Sequence, residues 1–532
     1  MSRSRYLELV AVLGLFVLAV VTRAYHVSSL VAFPDDLTYS SRTYQLVGQG
    51  WVWPTSQMWD QPPLMVYLLA VTMTIFGGAL DTLKMMSVLA GSIGIVAAYL
   101  LGKSMYGKKA GYIAAFAMTI NGFTILYSKL IYIETLACML ILAATWLFWE
   151  GVGKKKDTKM AIAGGIVFGL ALDAKYIAMV MGVALVLFLV VYYNKFEGGF
   201  PWRQVTAYFG VAFLCFLPVL IDLAVNNVNP FYWDLVYRFQ LAQSSSFKGS
   251  IANGSLLSLG FTHFVQILFH VSSTKPFQVF PLLGVDIPVW TFIVELVAVF
   301  FVAAFFLRRN KADGLLLILF LGLLAFAFTY PDKRNYFLIY PEVIFFVMVG
   351  RVGQLSYEGA TQRKNKVVIV GSLFVLGLIL TGLAINTAAV PQMYQSGFGD
   401  WDEIQPIVNY IAAHHSPDSY VATTRLEVGA YLALDQVNVT VLYMRQPANY
   451  NFQSVLNQTL MTPYHGIYPT FWVISSTTIE RTHPQFIVIP ILDYNSLTAE
   501  FQRFIAQNYY QPMNTQLVYL FQIRPGNFTE PP

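Results

Sequence analysis

Two adjacent carboxylates, Asp35 and Asp36, stand in Phe33-Pro34-Asp35-Asp36-Leu37-Thr38-Tyr39, just past the first long apolar stretch of the chain. Charge beside hydrocarbon is costly unless a partner or a function uses it. A carboxylate held at such a place has the chemistry of a general base. Arg42 follows in an amphipathic stretch, then Gly50-Trp51-Val52-Trp53-Pro54 and Asp60-Gln61-Pro62-Pro63-Leu64. Further ionisable residues recur at the ends of apolar segments. Lys129 and Glu134 flank a turn in Tyr127-Ser128-Lys129-Leu130-Ile131-Tyr132-Ile133-Glu134. Asp173 and Lys175 share Leu172-Asp173-Ala174-Lys175-Tyr176, and Asp332, Lys333 and Arg334 precede Asn335-Tyr336. Cations suit a phosphate, and a carboxylate suits an incoming nucleophile, so the set fits transfer from a phosphate-bearing lipid.

The elements that must position these residues are membrane helices. Of the 532 residues 56% are hydrophobic and only 11% charged, against roughly 25% charged in soluble domains. The chain reads as a polytopic membrane protein. Its net charge of +5 carries no nucleic-acid signal, because the basic residues are dispersed in short loops. Cys138 and Cys215 both lie in apolar segments, which argues against a disulfide framework or thiolate metal site. The seven histidines show no metal-ligand spacing. Leu7–Tyr25 has no convincing small-residue cleavage site after it and reads as an uncleaved first span.

A span needs ~20 mostly apolar residues. Eleven candidates are expected near 7–25, 80–102, 110–128, 131–150, 160–174, 176–193, 204–223, 288–307, 314–330, 335–350 and 367–389. The shorter stretch 62–77 carries Pro62, Pro63 and Gly77 and is expected to lie along or dip into the outer leaflet. With the N-terminus inside, six loops are cytoplasmic and hold 18 of the 33 Lys and Arg. Counting 62–77 as a span would invert every later loop against the positive-inside rule. The charged residues above then gather at the outer face. The expected organisation is a transmembrane catalytic part, 1–389, with external loops 26–79 and 224–287, and an extracytoplasmic α/β domain, 390–532. In the latter, helical patterns at Glu403–His414, Glu427–Leu434 and Ala499–Asn508 alternate with β-rich runs at Tyr420–Thr423, Val437–Tyr443, Phe486–Ile491 and Leu517–Ile523.

Each charge also has a plainer reading. Lys129 and Lys333 fit interfacial anchors, Asp173 with Lys175 fits a paired turn, and Trp51, Trp53 and Trp59 fit an aromatic belt before a sugar platform. Glu134, inside an apolar run, calls for a partner or a function.

In order and sidedness these motifs resemble the GT-C membrane glycosyltransferases, in the branch of protein O-mannosyltransferases and the lipid A aminoarabinose transferase. Asp35-Asp36-Leu37-Thr38-Tyr39 is similar to the family's Asp-Glu-x-x-Tyr, and Gly50-Trp51…Pro54 with Pro62-Pro63-Leu64…Phe76-Gly77 to its continuation. Tyr127-Ser128-Lys129…Glu134 resembles the segment of the second acidic residue, Ala174-Lys175-Tyr176 the Thr-Lys-Tyr/Gly turn, and Lys333-Arg334-Asn335-Tyr336…Pro341 the Arg-Tyr…Pro stretch. Asp36 departs from the usual Glu, Glu134 from a frequent Asp, and Gln61 from a Lys or His. The Trp-Trp-Asp signature of oligosaccharyltransferases is absent from the C-terminal domain.

The resemblance implies an inverting transfer of a sugar, such as mannose, from a polyprenyl- or dolichyl-phosphate donor to a hydroxyl on a glycan, protein or lipid acceptor. Catalytic roles then fall to Asp35, Asp36 and Glu134, with Asp35 the base. Donor phosphate binding falls to Lys175, Arg334 and Lys333, and substrate positioning to Tyr39, Arg42, Gln61, Lys129 and Tyr336. No cofactor is required and no metal site is indicated, although three nearby carboxylates have the chemistry to hold a divalent cation. The partners implied are membrane lipids, donor and acceptor, at a multi-pass location in the plasma membrane. A transporter or flippase of a lipid-linked sugar is the alternative.

Overall fold

The computed structural model describes residues 3–25, 27, 34–48, 50–51, 61–196, 198–225, 279–282, 285–288, 300–308, 310–329, 339–362, 366–388, 401–416, 419–423, 439–444, 472–474, 485–490, 499–514 and 518–524. By chain contacts it divides into two compact units. One holds Met1–Tyr25, Trp53–Leu69 and Leu83–Ser396, and the other holds His26–Val52, Ala70–Thr82 and Gly397–Pro532.

The described helices up to residue 225 are α1 (Arg3–Ala24), α2 (Pro34–Gly48), α3 (Leu64–Phe76), α4 (Leu80–Tyr106), α5 (Lys108–Ile120), α6 (Gly122–Ser128), α7 (Ile133–Phe148), α8 (Thr158–Ala174), α9 (Ala178–Val191) and α10 (Trp202–Val225). After the antiparallel pair β1 (Val279–Leu282) and β2 (Val285–Pro288), and a helical stretch at 300–308, come α11 (Lys311–Thr329), α12 (Ile339–Gln362) and α13 (Lys366–Ala388). Among the described residues, α1, α4, α10 and α7 with its π-helical extension to Lys154 are long and apolar enough to cross a membrane. The helix α3 is short and apolar.

The stretch 110–128, read as one span, is instead two helices. Asn121 has ψ 120, so it leaves helical geometry, and its side chain accepts a hydrogen bond from the Thr124 amide at 2.8 Å. That bond satisfies an amide at the start of α6 and restarts the helix.

Packing in this unit depends on missing side chains. On α8, Gly164, Gly165 and Gly169 face Tyr208, Ala212 and Cys215 of α10, and a Cβ on Gly169 would meet the Cys215 Cβ at 2.5 Å. Small residues four apart let helices approach closely in lipid, where dispersion replaces the hydrophobic effect. Gly102 of α4 similarly meets Gly111 of α5, its Cβ position 3.0 Å from the Gly111 Cα.

In the second unit, α2 starts with Pro34 in the first helical position and its acidic pair in the first turn, both favoured at a helix N-terminus. Asp36, Tyr39, Thr43 and Leu46 are all buried and recur at helical spacing on one face. The helix ends where Gly50 (φ 73) and Trp51 (φ 69) take left-handed backbone. Gly50 does so without penalty, whereas Trp51 stores strain of ~1–3 kcal/mol.

The same unit contains a six-stranded sheet in the order β5-β4-β3-β6-β8-β7, formed by β3 (Ser419–Thr423), β4 (Val439–Met444), β5 (Trp472–Ile474), β6 (Phe486–Pro490), β7 (Tyr509–Asn514) and β8 (Val518–Ile523). The first four strands run parallel, and the last two join antiparallel. The helices α14 (Trp401–His414) and α15 (Ala499–Asn508) accompany it. Ile404, Ile407, Val408 and Ile411 of α14 form one cluster with Val421, Phe486, Val488 and Leu520. Ile487 and Ile489, pointing the other way, are equally buried, as a sheet covered on both faces requires.

All four expected β-rich runs coincide with strands, and two of the three helical runs with α14 and α15. The third, 427–434, lies outside the described residues. Strands β5 and β7 were not expected. Both are sheet edges, and β7 carries Pro512, which an edge tolerates and a central strand does not.

Candidate active site

The ion pair of Glu134 and Lys175 organises one end of the helical unit. Glu134 sits in the first turn of α7, where the helix dipole favours an anion. Lys175 caps the C-terminus of α8 in extended backbone, where a cation is favoured. Their side chains meet in a hydrogen-bonded ion pair, 2% and 12% exposed. In such low-dielectric surroundings the pair attracts far more strongly than in water. Thr135 ties the turn before α7 in place through a 2.9 Å bond to the Tyr127 carbonyl. The rings of Tyr127 and Tyr132 pack edge to face across that turn.

Lys129 occupies the same turn, fully buried, and donates to the Tyr25 carbonyl at the end of α1. Burial, and after it the Arg23 guanidinium, push its ammonium down from 10.5 to about 7. Arg23 is also fully buried. It donates to the Met118 and Thr119 carbonyls at 3.1 and 3.3 Å and to Thr124 Oγ1 at 3.2 Å. These carbonyls are among the last of α5, which lack partners within their helix. Gly91 of α4 makes room here, since a Cβ on it would sit 3.3 Å from Arg23 Nε and 2.9 Å from the Ser128 Cβ.

A second carboxylate enters from α12. Glu342 Oε1 accepts from Asn121 Nδ2 at 3.0 Å. Glu134 and Glu342 both act electrostatically on Tyr127 and Cys138, so they share one neighbourhood. Near Lys175 in sequence, Asp173 Oδ1 is buried without a hydrogen bond among the described residues. The Gln61 Oε1 is likewise buried and unbonded among the described residues. Among these residues no group of three His, Cys, Asp or Glu could hold a metal ion.

Of the residues singled out in the sequence, Glu134, Lys175, Lys129 and Gln61 lie in the helical unit, and the first two are in contact. Asp36, Tyr39 and Arg42 are buried on α2 in the other unit. The Asp35 side chain and residues Lys333, Arg334 and Tyr336 lie outside the described residues. Sequence reading passed over Arg23, Asn121 and Glu342. The signal for two of them was present, because a lone charge within an apolar run marks a partner, as it did for Glu134.

The chain resembles known proteins over this region. Residues 60–221 match the family described as dolichyl-phosphate-mannose-protein mannosyltransferase. Over 202 residues the chain is 25% identical to "Putative mannosyltransferase YkcB" of Bacillus subtilis (strain 168), a match that covers 38% of this chain and 26% of that protein. Among solved structures, ArnT from Cupriavidus metallidurans, bound to undecaprenyl phosphate, superposes with a TM-score of 0.60 at 13% identity. That superposition covers 98% of each chain. The oligosaccharyltransferase AglB from Archaeoglobus fulgidus, in complex with an inhibitory peptide and a dolichol-phosphate, gives 0.57 at 13% identity, over 99% of this chain and 75% of that one. This membrane protein therefore has the fold of the GT-C glycosyltransferases, and the segment that bears Glu134 and Lys175 matches the mannosyltransferase family.

Proposed function

We propose that the protein is an inverting glycosyltransferase. It moves a hexose such as mannose from a polyprenyl- or dolichyl-phosphate donor to an acceptor hydroxyl at the outer face of the plasma membrane. The buried Glu134–Lys175 pair carries the reading. It places a charged ammonium at a helix end, in a fold whose solved examples hold polyprenyl phosphates. An ammonium has three donors, so Lys175 can keep Glu134 and still take a phosphate oxygen.

Asp35 takes the proton of the acceptor hydroxyl as its oxygen attacks the anomeric carbon. The bond from that carbon to the phosphate oxygen breaks, and its electron pair stays on the phosphate. A phosphomonoester with a second pKa near 6 leaves without an acid. What it needs is countercharge, from Lys175 with Arg334 or Lys333. Attack opposite the departing phosphate inverts the anomeric centre. Asp36, Tyr39 and Arg42 orient the reactants beside the base, and residues 390–532 contribute acceptor recognition. The basic loops at the opposite helix ends support a cytoplasmic N-terminus.

The test is transfer by purified protein from polyprenyl-phosphate hexose donors to crude membrane acceptors, with Asp35→Asn alongside. Loss of roughly 100-fold or more in the variant is expected for a missing base. A variant as active as wild type would remove Asp35 from that role. Movement of the lipid-linked sugar across vesicles without covalent transfer would favour a flippase.

A further inference from the structure

We propose that Glu342 is a positioning residue for the transfer reaction, acting through Asn121 on the turn that carries Lys129 and Glu134; this rests on the glycosyltransferase reading above. Asn121 uses both ends of its side-chain amide. The oxygen accepts from the Thr124 amide at 2.8 Å and so starts α6, while the nitrogen donates to Glu342 Oε1 at 3.0 Å. Glu342 therefore holds the cap of α6 from a helix more than two hundred residues further along the chain.

The short helix depends on its neighbours. It is seven residues long, below the length at which a helix is stable by itself. Its start is held by Glu342 through Asn121 and by Arg23 through Thr124 Oγ1. Its end is held by Thr135 through the Tyr127 carbonyl. Lys129 is the residue that caps its C-terminus, and Glu134 lies in the next helical turn of the chain. Releasing the cap lets α6 rotate or shift. Lys129 and the start of α7 move with it.

Glutamine at 342 can still accept from Asn121, because its carbonyl oxygen replaces the carboxylate oxygen, whereas leucine cannot. Displacements of about 1 Å at a reacting centre cost up to ~100-fold in rate. Glu342→Leu is thus expected to lower kcat roughly tenfold or more with the donor KM changed far less. Glu342→Gln is expected to restore most of that loss. Asn121→Ala should lower kcat similarly, and the double variant Asn121→Ala/Glu342→Leu should be no worse than either single one.

The experiment measures kcat and KM for donor in these variants and melting temperatures for the same set in detergent. Non-additive losses in kcat, with rescue by glutamine, support the proposal. Glutamine as damaging as leucine would overturn it in favour of a direct role for the charge. Additive losses would overturn the coupling through Asn121. A wild type without transfer would sink the glycosyltransferase reading and the assigned role together. In that case a non-additive melting cycle would still separate a real contact from an absent one.

Discussion

Replacing Lys129 by Met should remove a pH dependence of stability that the wild type carries. In the folded protein burial and Arg23 hold the Lys129 pKa at about 7, against 10.5 when unfolded. Folding therefore favours the neutral amine. Below pH 7 both states carry the proton, and the full cost of a buried cation is present. As pH rises from 7 to 10.5 the folded state has released its proton and the unfolded state has not, so stability climbs with pH. The limiting slope is about 1.4 kcal/mol per pH unit for one proton. Half-titration at pH 7 trims the gain between pH 7 and 9 to roughly 2 kcal/mol. Lys129→Met keeps the volume and loses the titration. Equilibrium unfolding of both proteins in the same micelles at pH 7 and pH 9 measures the difference, in which all other titrating groups cancel. The gap between the two should change by about 2 kcal/mol in favour of wild type as pH rises. Parallel curves would show that Lys129 does not titrate in this window and would refute the burial argument.

Breaking the Glu134–Lys175 pair from either side removes a close opposite charge in a nearly closed space. Glu134→Gln or Lys175→Met should each cost ~3–5 kcal/mol, and the double variant should recover much of that loss; additive destabilisation would show that the two groups act apart. In the sheet unit, Phe486 is fully buried in the cluster with Ile407 and Val421. Phe486→Ala should cost ~3–5 kcal/mol, seen as faster amide exchange in β3, β6 and β8 of the full chain. Unchanged protection there would mean these residues do not form one cooperative core.

How much of this was legible in the sequence depends on how local each signal is. Helices announce themselves through long apolar runs or through apolar residues at helical spacing, and α15, of the second kind, begins and ends where its pattern does, at Ala499 and Asn508. The central strands β3 and β6 carry buried apolar runs, Val421-Ala422 and Phe486-Ile487-Val488-Ile489, and were found. The edge strands β5 and β7 were not, since one is three residues long and the other mixes Gln, Pro and Asn. Edges face solvent on one side and need no apolar pattern. The break at Asn121 was missed for a related reason. Asn-Gly inside an apolar stretch weakens a helix without forbidding it, and the cap bond that decides the matter is a matter of side-chain geometry.

By itself the sequence determined that the chain is built from apolar helices, that a carboxylate at 134 needs a partner, and that the motifs follow the order of a glycosyltransferase family. The first two follow from composition and local sequence, which act over one or two helical turns, and the third is a resemblance of motifs. Only the tertiary structure decided that the partner of Glu134 is Lys175, that Arg23 closes the end of α5, and that Glu342 holds the cap of α6. Each of these pairs joins residues separated by tens to hundreds of positions. Spacing along a chain carries no information about which of several apolar helices pack together. That choice belongs to the shapes of their surfaces, such as the glycine faces of α8 that admit Tyr208 and Cys215 of α10.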